Sequence, residues 1–147
     1  MLSKSNFIQI IKNTPLISID LIIENKEGKI LLGKRVNEPA KGEWFVPGGR
    51  IFKNETLDVA FKRTTSTEIG FPLKREAVKF YGLYEHYYEN NVFNDSFSTH
   101  YIVLAHKFKV NEDDIKLNNQ HERYQWFKIS EILEKSNVNK YTKDYFL

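Results

Sequence analysis

The segment Gly49 to Gly70, GRIFKNETLDVAFKRTTSTEIG, limits what this chain can fold into more than any other stretch. It opens on a glycine-rich turn, passes through a polar loop and predicts a helix over 55–69, with Asn54 placed to cap it and Gly70 to stop it. At about 100° per residue, Glu68 falls only about 20° from Leu57 on the helical wheel. Leu57, Ala60, Phe61 and Thr64 spread along the same side, so Glu68 lies on or beside the face that packs on a sheet. A carboxylate there is costly unless a cation or several donors meet it. A salt bridge at the helix end and a bound metal ion would each meet that demand. The preceding Gly48-Gly49-Arg50 lets the backbone approach a ligand closely and can free a carbonyl oxygen for a hard cation, although Pro-Gly-Gly also makes an ordinary turn. Arg63 can serve an anionic ligand or pair with Glu55, and Glu55 also suits the first turn of the helix.

Composition narrows the function classes. The 147 residues, 41% hydrophobic and 28% charged, predict a single globular domain over residues 1–147, with a core and room for a side pocket. A net charge of +3 suits an anionic small substrate, but the basic residues are scattered and argue against nucleic acid. Cysteine is absent, which excludes disulfides, thiolate nucleophiles and zinc–thiolate sites. The N-terminus does not read as a signal peptide, and no apolar run reaches membrane-spanning length, so the cytoplasm is the expected location and no membrane partner is expected.

Periodicity predicts a helix over 4–13 and a buried strand over 16–25, then a turn at Lys26-Glu27-Gly28 into a strand over 29–36 that completes a hairpin. Residues 44–51 read as a strand broken by Pro47-Gly48-Gly49. Long strands follow over 77–88 and 97–110, with the polar loop 89–96 between them. A short strand over 123–129 leads to a helix over 130–136 opened by Ser130. Many strands with a few interspersed helices predict a mixed α/β sandwich.

Outside the central segment, Gln120 and His121 adjoin the 123–129 strand. A Gln offers a neutral oxygen to a hard cation and a His can act as general base near neutral pH, whereas a loop His is also common surface decoration. Arg35 ends the run ILLGKR, where its planar fork suits a phosphate or simply projects into solvent. Tyr101, His86, His100 and Asp20 lie in or beside apolar strands, as hydrogen-bonded core residues or as site residues. Some of the 21 aromatic side chains (11 Phe, 8 Tyr, 2 Trp) can stack on a base or sugar, while most belong to the core.

The spacing of Gly49, Glu55, Arg63, Glu68 and Gly70, with Phe71 after them, resembles the loop-helix box of the Nudix superfamily, except that Thr64 and Thr67 stand where two glutamates are usual and Thr65 replaces a bulky apolar residue. TPLISIDLIIEN, LLGKR, WFVPGGR, THYIVL and the Gln120-His121 pair make the chain similar, over nearly its whole length, to the GDP-mannose mannosyl hydrolase branch, which also lacks those two glutamates. The resemblance implies a Nudix-type α/β/α sandwich with a mixed sheet, and hydrolysis of GDP-α-D-mannose, or GDP-glucose, by water attack at sugar C1 with inversion. It implies one Mg²⁺, replaceable by Mn²⁺, held by the Gly48 carbonyl, Glu68 and Gln120. His121 would be the base, and Arg35 would stabilise the leaving diphosphate with help from Arg50 and Tyr101. Asp20 and His86 would contact or position the sugar, and Arg63 the diphosphate. Leu2 and Phe7 would bind nucleotide across a homodimer interface. A nucleotide-sugar diphosphatase attacking phosphorus and a catalytically silent binding module are the alternatives.

Overall fold

Six of the nine residues LISIDLIIE are buried because the strand they form has neighbours on both edges and layers on both faces. The computed structural model describes residues 2–93, 96–117 and 123–147. The chain runs α1 (Lys4–Asn13), β1 (Leu16–Glu24), β2 (Ile30–Lys34), β3 (Trp44–Phe45), β4 (Gly48–Arg50), α2 (Leu57–Ile69), β5 (Lys79–Tyr88), β6 (Thr99–Lys109), β7 (Tyr124–Phe127), α3 (Ile129–Glu134) and α4 (Lys140–Asp144). The seven strands form one mixed sheet in the order β3-β2-β1-β6-β5, with β4 also on β1 and β7 on β2. β1 is parallel to β6 and antiparallel to β2 and β4.

Strand alternation divides the core. Ile19, Leu21 and Ile23 pack with Ala60, Phe61 and Ile69 of α2. Ile22 packs with Ile132 of α3, Val138 and Tyr145. Asp20 shares the parity of Ile22 and so faces the C-terminal layer. The result is the expected α/β/α sandwich with a mixed sheet.

α1 spans the predicted residues, with the Ser3 hydroxyl accepting the Asn6 N–H at 3.2 Å. α2 differs from expectation at its start. Asn54 has φ of 71°, a left-handed turn rather than a cap conformation, and Thr56 caps instead by accepting the Val59 N–H at 3.1 Å. Glu55 therefore precedes the helix rather than occupying its first turn. Gly70 stops α2 as expected, with φ of 88° and its N–H on Ser66 O at 3.1 Å. Thr65, at the position usually bulky and apolar, is fully buried; its hydroxyl donates to Phe61 O at 3.1 Å and accepts the Leu73 N–H at 2.9 Å. It ties the chain after α2 back onto the helix.

Other boundaries shift for local reasons. The 44–51 run divides into β3, which pairs with β2, and β4, which crosses to β1; between them Pro47 O accepts the Leu21 N–H at 2.8 Å. α3 begins at Ile129 rather than at Ser130, because the Glu131 carboxylate accepts the Lys128 N–H at 2.9 Å and closes the turn one residue earlier. α4, with Asn139 accepting the Tyr141 N–H at 3.0 Å, was not anticipated. Among the described residues no helix is long and apolar enough to cross a membrane.

Two glycines separate backbone strain from packing. Gly42 has φ of 84° with nothing within 4 Å of an added Cβ, whereas at Gly70 that atom would stand 2.6 Å from Lys116 Cβ and 2.8 Å from Lys116 O. Gly42→Ala is expected to cost about 1–2 kcal/mol in urea unfolding, the cost of left-handed strain alone. Gly70→Ala is expected to cost about 1–3 kcal/mol more, from overpacking. Equal losses would overturn the close approach of Lys116 to the end of α2.

Candidate active site

The ends of β2, β4 and α4 and the inner surface of β1, β5 and β6 enclose a cavity of about 310 Å³. Asp20, Arg35, Gly48, Arg50, Glu68, His86 and Tyr101, all singled out in the sequence, line it. Leu2, Phe7 and Arg63 do not. Leu2 is exposed; Phe7 lies on α1 against Arg50. Arg63 takes the plainer of its two readings and pairs with Glu55. Gln120 and His121 fall outside the described residues.

The acidic groups reach the cavity from two layers. Glu68 is 7% exposed on the inner face of α2, as the helical wheel requires, and its Oε2 accepts the Tyr124 hydroxyl at 2.7 Å. Burial, then the charge of Glu68 and its hydrogen bond, push the Tyr124 phenol above its ordinary range, so it remains a neutral donor. One turn earlier Thr64 is also buried, and its hydroxyl has no partner among the described residues. Thr67, three residues further along α2, is exposed. The two threonines that replace glutamates therefore occupy different environments.

Asp20 approaches from β1. Its Oδ2 accepts the Tyr145 hydroxyl at 2.6 Å. Burial pushes its carboxyl up from 3.8 to about 7, although the Tyr145 hydrogen bond pulls the other way. His86 is nearly buried beside the same layer, stacked on Tyr141 with ring centroids 4.4 Å apart. Its Nε2 has no partner among the described residues, and burial lowers its pKa from 6.5 to about 4. His86 is thus a neutral imidazole with an uncommitted ring nitrogen.

The basic groups are held differently. Arg35 donates through Nε to Asn37 O at 2.9 Å and through Nη2 to Glu38 O at 3.3 Å, and lies 5.7 Å from the Phe45 ring centre. Arg50 stands over the rings of Phe7 and Phe52. Burial raises the pKa of Tyr101, while Arg35 and then Arg50 pull it back. These three residues place hydrogen-bond donors and positive charge opposite two carboxyl groups.

Tyr124 and Tyr145, which hold the two carboxyls, were missed in the sequence. RYQWFKI reads in the sequence only as a short strand, with nothing to say which of its side chains reaches Glu68. Tyr145 lies after α4, where no pattern marked an element.

A mixed sheet with this loop-helix laid against its central strand, and a cavity of arginines and carboxyls at the join, is the α/β/α architecture of a Nudix-type hydrolase. The family model for the NUDIX domain matches residues 14–146, and the chain belongs to the Nudix family. The low-salt glycan biosynthesis protein Agl8 of Haloferax volcanii is 42% identical over 118 residues, covering 80% of this chain and 74% of that protein. The MutT protein of Methanosarcina mazei Go1 superposes with a TM-score of 0.71 at 24% identity over 91% of this chain and 92% of its own. The Nudix domain of Shewanella oneidensis NrtR, solved with ADP-ribose, superposes with a TM-score of 0.62 at 14% identity over 93% and 90%.

Nudix hydrolases generally use divalent metals such as Mg²⁺. Among the described residues no three His, Cys, Asp or Glu side chains converge on a metal position. Glu68 and the Gly48 backbone nonetheless bring oxygen donors to the same cavity, a donor type that fits a hard divalent cation such as Mg²⁺.

The raised Asp20 has a measurable sign. A carboxyl shifted from 3.8 to about 7 disfavours its charged form in the fold, so the fold loses stability as pH climbs through that window and levels off above it. His86, lowered from 6.5 to about 4, acts in the opposite sense, costing stability as pH falls. Asp20→Asn keeps an acceptor for Tyr145 and removes only the first effect. Its stability relative to wild type is expected to rise between pH 4 and 7 and then plateau, with a ceiling of about 4 kcal/mol because Asp20 keeps some solvent access. A pH-independent difference in urea unfolding would refute the burial of this carboxyl.

Proposed function

We propose that this Nudix hydrolase acts on a nucleoside-diphosphate sugar, GDP-α-D-mannose or GDP-glucose, and cleaves the bond between sugar C1 and the phosphate oxygen. The observation that carries the reading is the charge distribution of the cavity. Arg35 is held by backbone carbonyls and Arg50 by phenyl rings, and neither forms a salt bridge with a carboxylate among the described residues. α2 supplies Glu68 alone, with Thr64 and Thr67 at the other two carboxylate positions. Such a site is rich in charge for a departing diphosphate and poor in the carboxylates that would hold several cations around an attacked phosphorus. The glycan-biosynthesis role in the name of the Haloferax relative supports a sugar nucleotide as the substrate class.

In this reading water attacks C1 from the face opposite the diphosphate. The C1–O bond breaks, its electron pair stays on the terminal phosphate oxygen of GDP, and His121 accepts the proton that water loses. Arg35, Arg50 and the Tyr101 hydroxyl meet the charge gathering on the diphosphate. His86 and Asp20 orient the sugar. Glu68, Gln120 and the Gly48 backbone would hold a Mg²⁺ ion, which supplies further positive charge at the leaving group when bound. A homodimer with Leu2 and Phe7 at its interface belongs to the same reading.

Hydrolysis of GDP-mannose in ¹⁸O-labelled water, followed by anomer-resolved NMR and mass spectrometry, tests it. Labelled β-mannose with unlabelled GDP is the expected result. Label in a phosphate product would make the protein a nucleotide-sugar diphosphatase, and binding without turnover would make it a silent module. His121→Gln is expected to lower kcat by about 10²–10⁴-fold while GDP-mannose binding is retained. Near-normal turnover by that variant would remove His121 as the base. Glu68→Gln is expected to raise the Mg²⁺ concentration needed for activity, and an unchanged requirement would reject its ligand role.

A further inference from the structure

Rings and guanidinium groups alternate beside the cavity. The Arg50 guanidinium carbon is 4.7 Å from the Phe7 ring centre and 5.0 Å from the Phe52 ring centre. The Arg63 guanidinium carbon is 3.9 Å from the same Phe52 ring. Arg63 is itself fastened: Nε meets Glu55 Oε2 at 2.7 Å, and Nη2 meets Glu55 Oε1 and Arg50 O, each at 2.8 Å. Glu55 Oε1 also accepts the Phe52 N–H at 2.7 Å, so the backbone that carries the ring is tied to the ion pair that supports it. On the other side, α1 delivers Phe7, whose ring packs edge-on against Phe93 at 6.0 Å.

We propose that Phe52 and Phe7 are positioning residues for Arg50, and that the Glu55–Arg63 pair acts on the site through Phe52 rather than by touching the substrate.

The inference rests on the reading of the cavity as a diphosphate site. Its physical basis is the difference between two ways of holding an arginine. A carboxylate would take two N–H donors and cancel the charge, whereas ring faces attract the cation and leave the donors in its plane uncommitted. Glu55 neutralises Arg63, and this matters because Arg63 and Arg50 are like charges held against one ring. Phe52 is 38% exposed, a large apolar side chain at the surface that contributes little to the core and whose burial alone does not account for it. The box spacing that places Glu55 eight residues before Arg63 therefore has a local purpose in this chain: it clamps the plate on which Arg50 rests.

GDP binding by titration calorimetry with Mg²⁺ present, in a double-mutant cycle, tests the proposal. Phe52→Leu and Phe7→Leu are each expected to weaken GDP binding by about three- to tenfold, with Phe52→Tyr close to wild type. In an Arg50→Met background, Phe52→Leu is expected to cost nothing further. The Arg50 Nε–H resonance, shifted by the ring currents, should move toward its free position in Phe52→Leu while the rest of the spectrum keeps its dispersion. Equal losses from Phe52→Leu with and without Arg50, or an unmoved Arg50 resonance, would overturn the positioning role and leave the diphosphate reading intact. Arg35→Met and Arg50→Met variants that both bind GDP as wild type does would overturn both.

Discussion

No side chain fits at Gly48. A Cβ there would stand 2.3 Å from Ile19 O and 2.7 Å from Asp20 Oδ1, so β4 can lie on β1 only because the residue facing Asp20 has none. That close pass sets the rest of the site. It brings the turn before α2 against the central strand and puts Arg50 opposite Ser18 at the rim of the cavity. It also brings α2 across the sheet at the height where Glu68 can meet Tyr124 of β7. A bulkier residue would push β4 off β1, and the loop-helix would lose the strand it is registered against.

The alternation of β1 then separates the chemistry. Odd residues feed the α2 layer and even residues the C-terminal layer, so Glu68 and Asp20 enter one cavity from opposite sides of the sheet rather than side by side. Each carboxyl is met by a tyrosine hydroxyl, Glu68 by Tyr124 and Asp20 by Tyr145. A neutral donor satisfies part of the cost of burying a carboxylate without cancelling its charge. The arginines are treated in the mirror sense, held by carbonyls and ring faces. The positive charge of Arg35 and Arg50 is thus kept available at the cavity rather than spent on ion pairs among the described residues.

Much of this was legible in the sequence because it rested on local rules. The α1 boundaries, the Gly70 stop, the inward position of Glu68 and the long strands follow from capping, handedness and periodicity, which are properties of a few consecutive residues. What the sequence left open was non-local. Asn54 and Thr56 are both good caps, and only the loop path, which drives Asn54 to φ of 71°, decides between them. Arg63 could face a ligand or Glu55, and the choice depends on where the loop returns. Tyr145 meets Asp20 across 125 positions of chain, a pairing that no spacing can encode.

The threonines of α2 show how substitution can change chemistry without disturbing the frame that carries it. Thr65 uses its hydroxyl as a staple to Leu73, so the lost apolar residue is replaced by a hydrogen bond and the helix keeps its seat. Thr67 is exposed, and its backbone cost in a helix is small. Thr64 is the consequential one, buried one turn from Glu68 with its hydroxyl unpartnered among the described residues. A second carboxylate there would face Glu68 across a single turn, and two like charges at that separation would raise the pKa of at least one unless cations held both. With threonine in its place, α2 brings one carboxylate fewer to the cavity that Arg35 and Arg50 line. On the proposed reading the cavity thus shifts from a cage for cations toward a receptor for a diphosphate, while the glycines, the helix stop and the Glu55–Arg63 clasp stay in place.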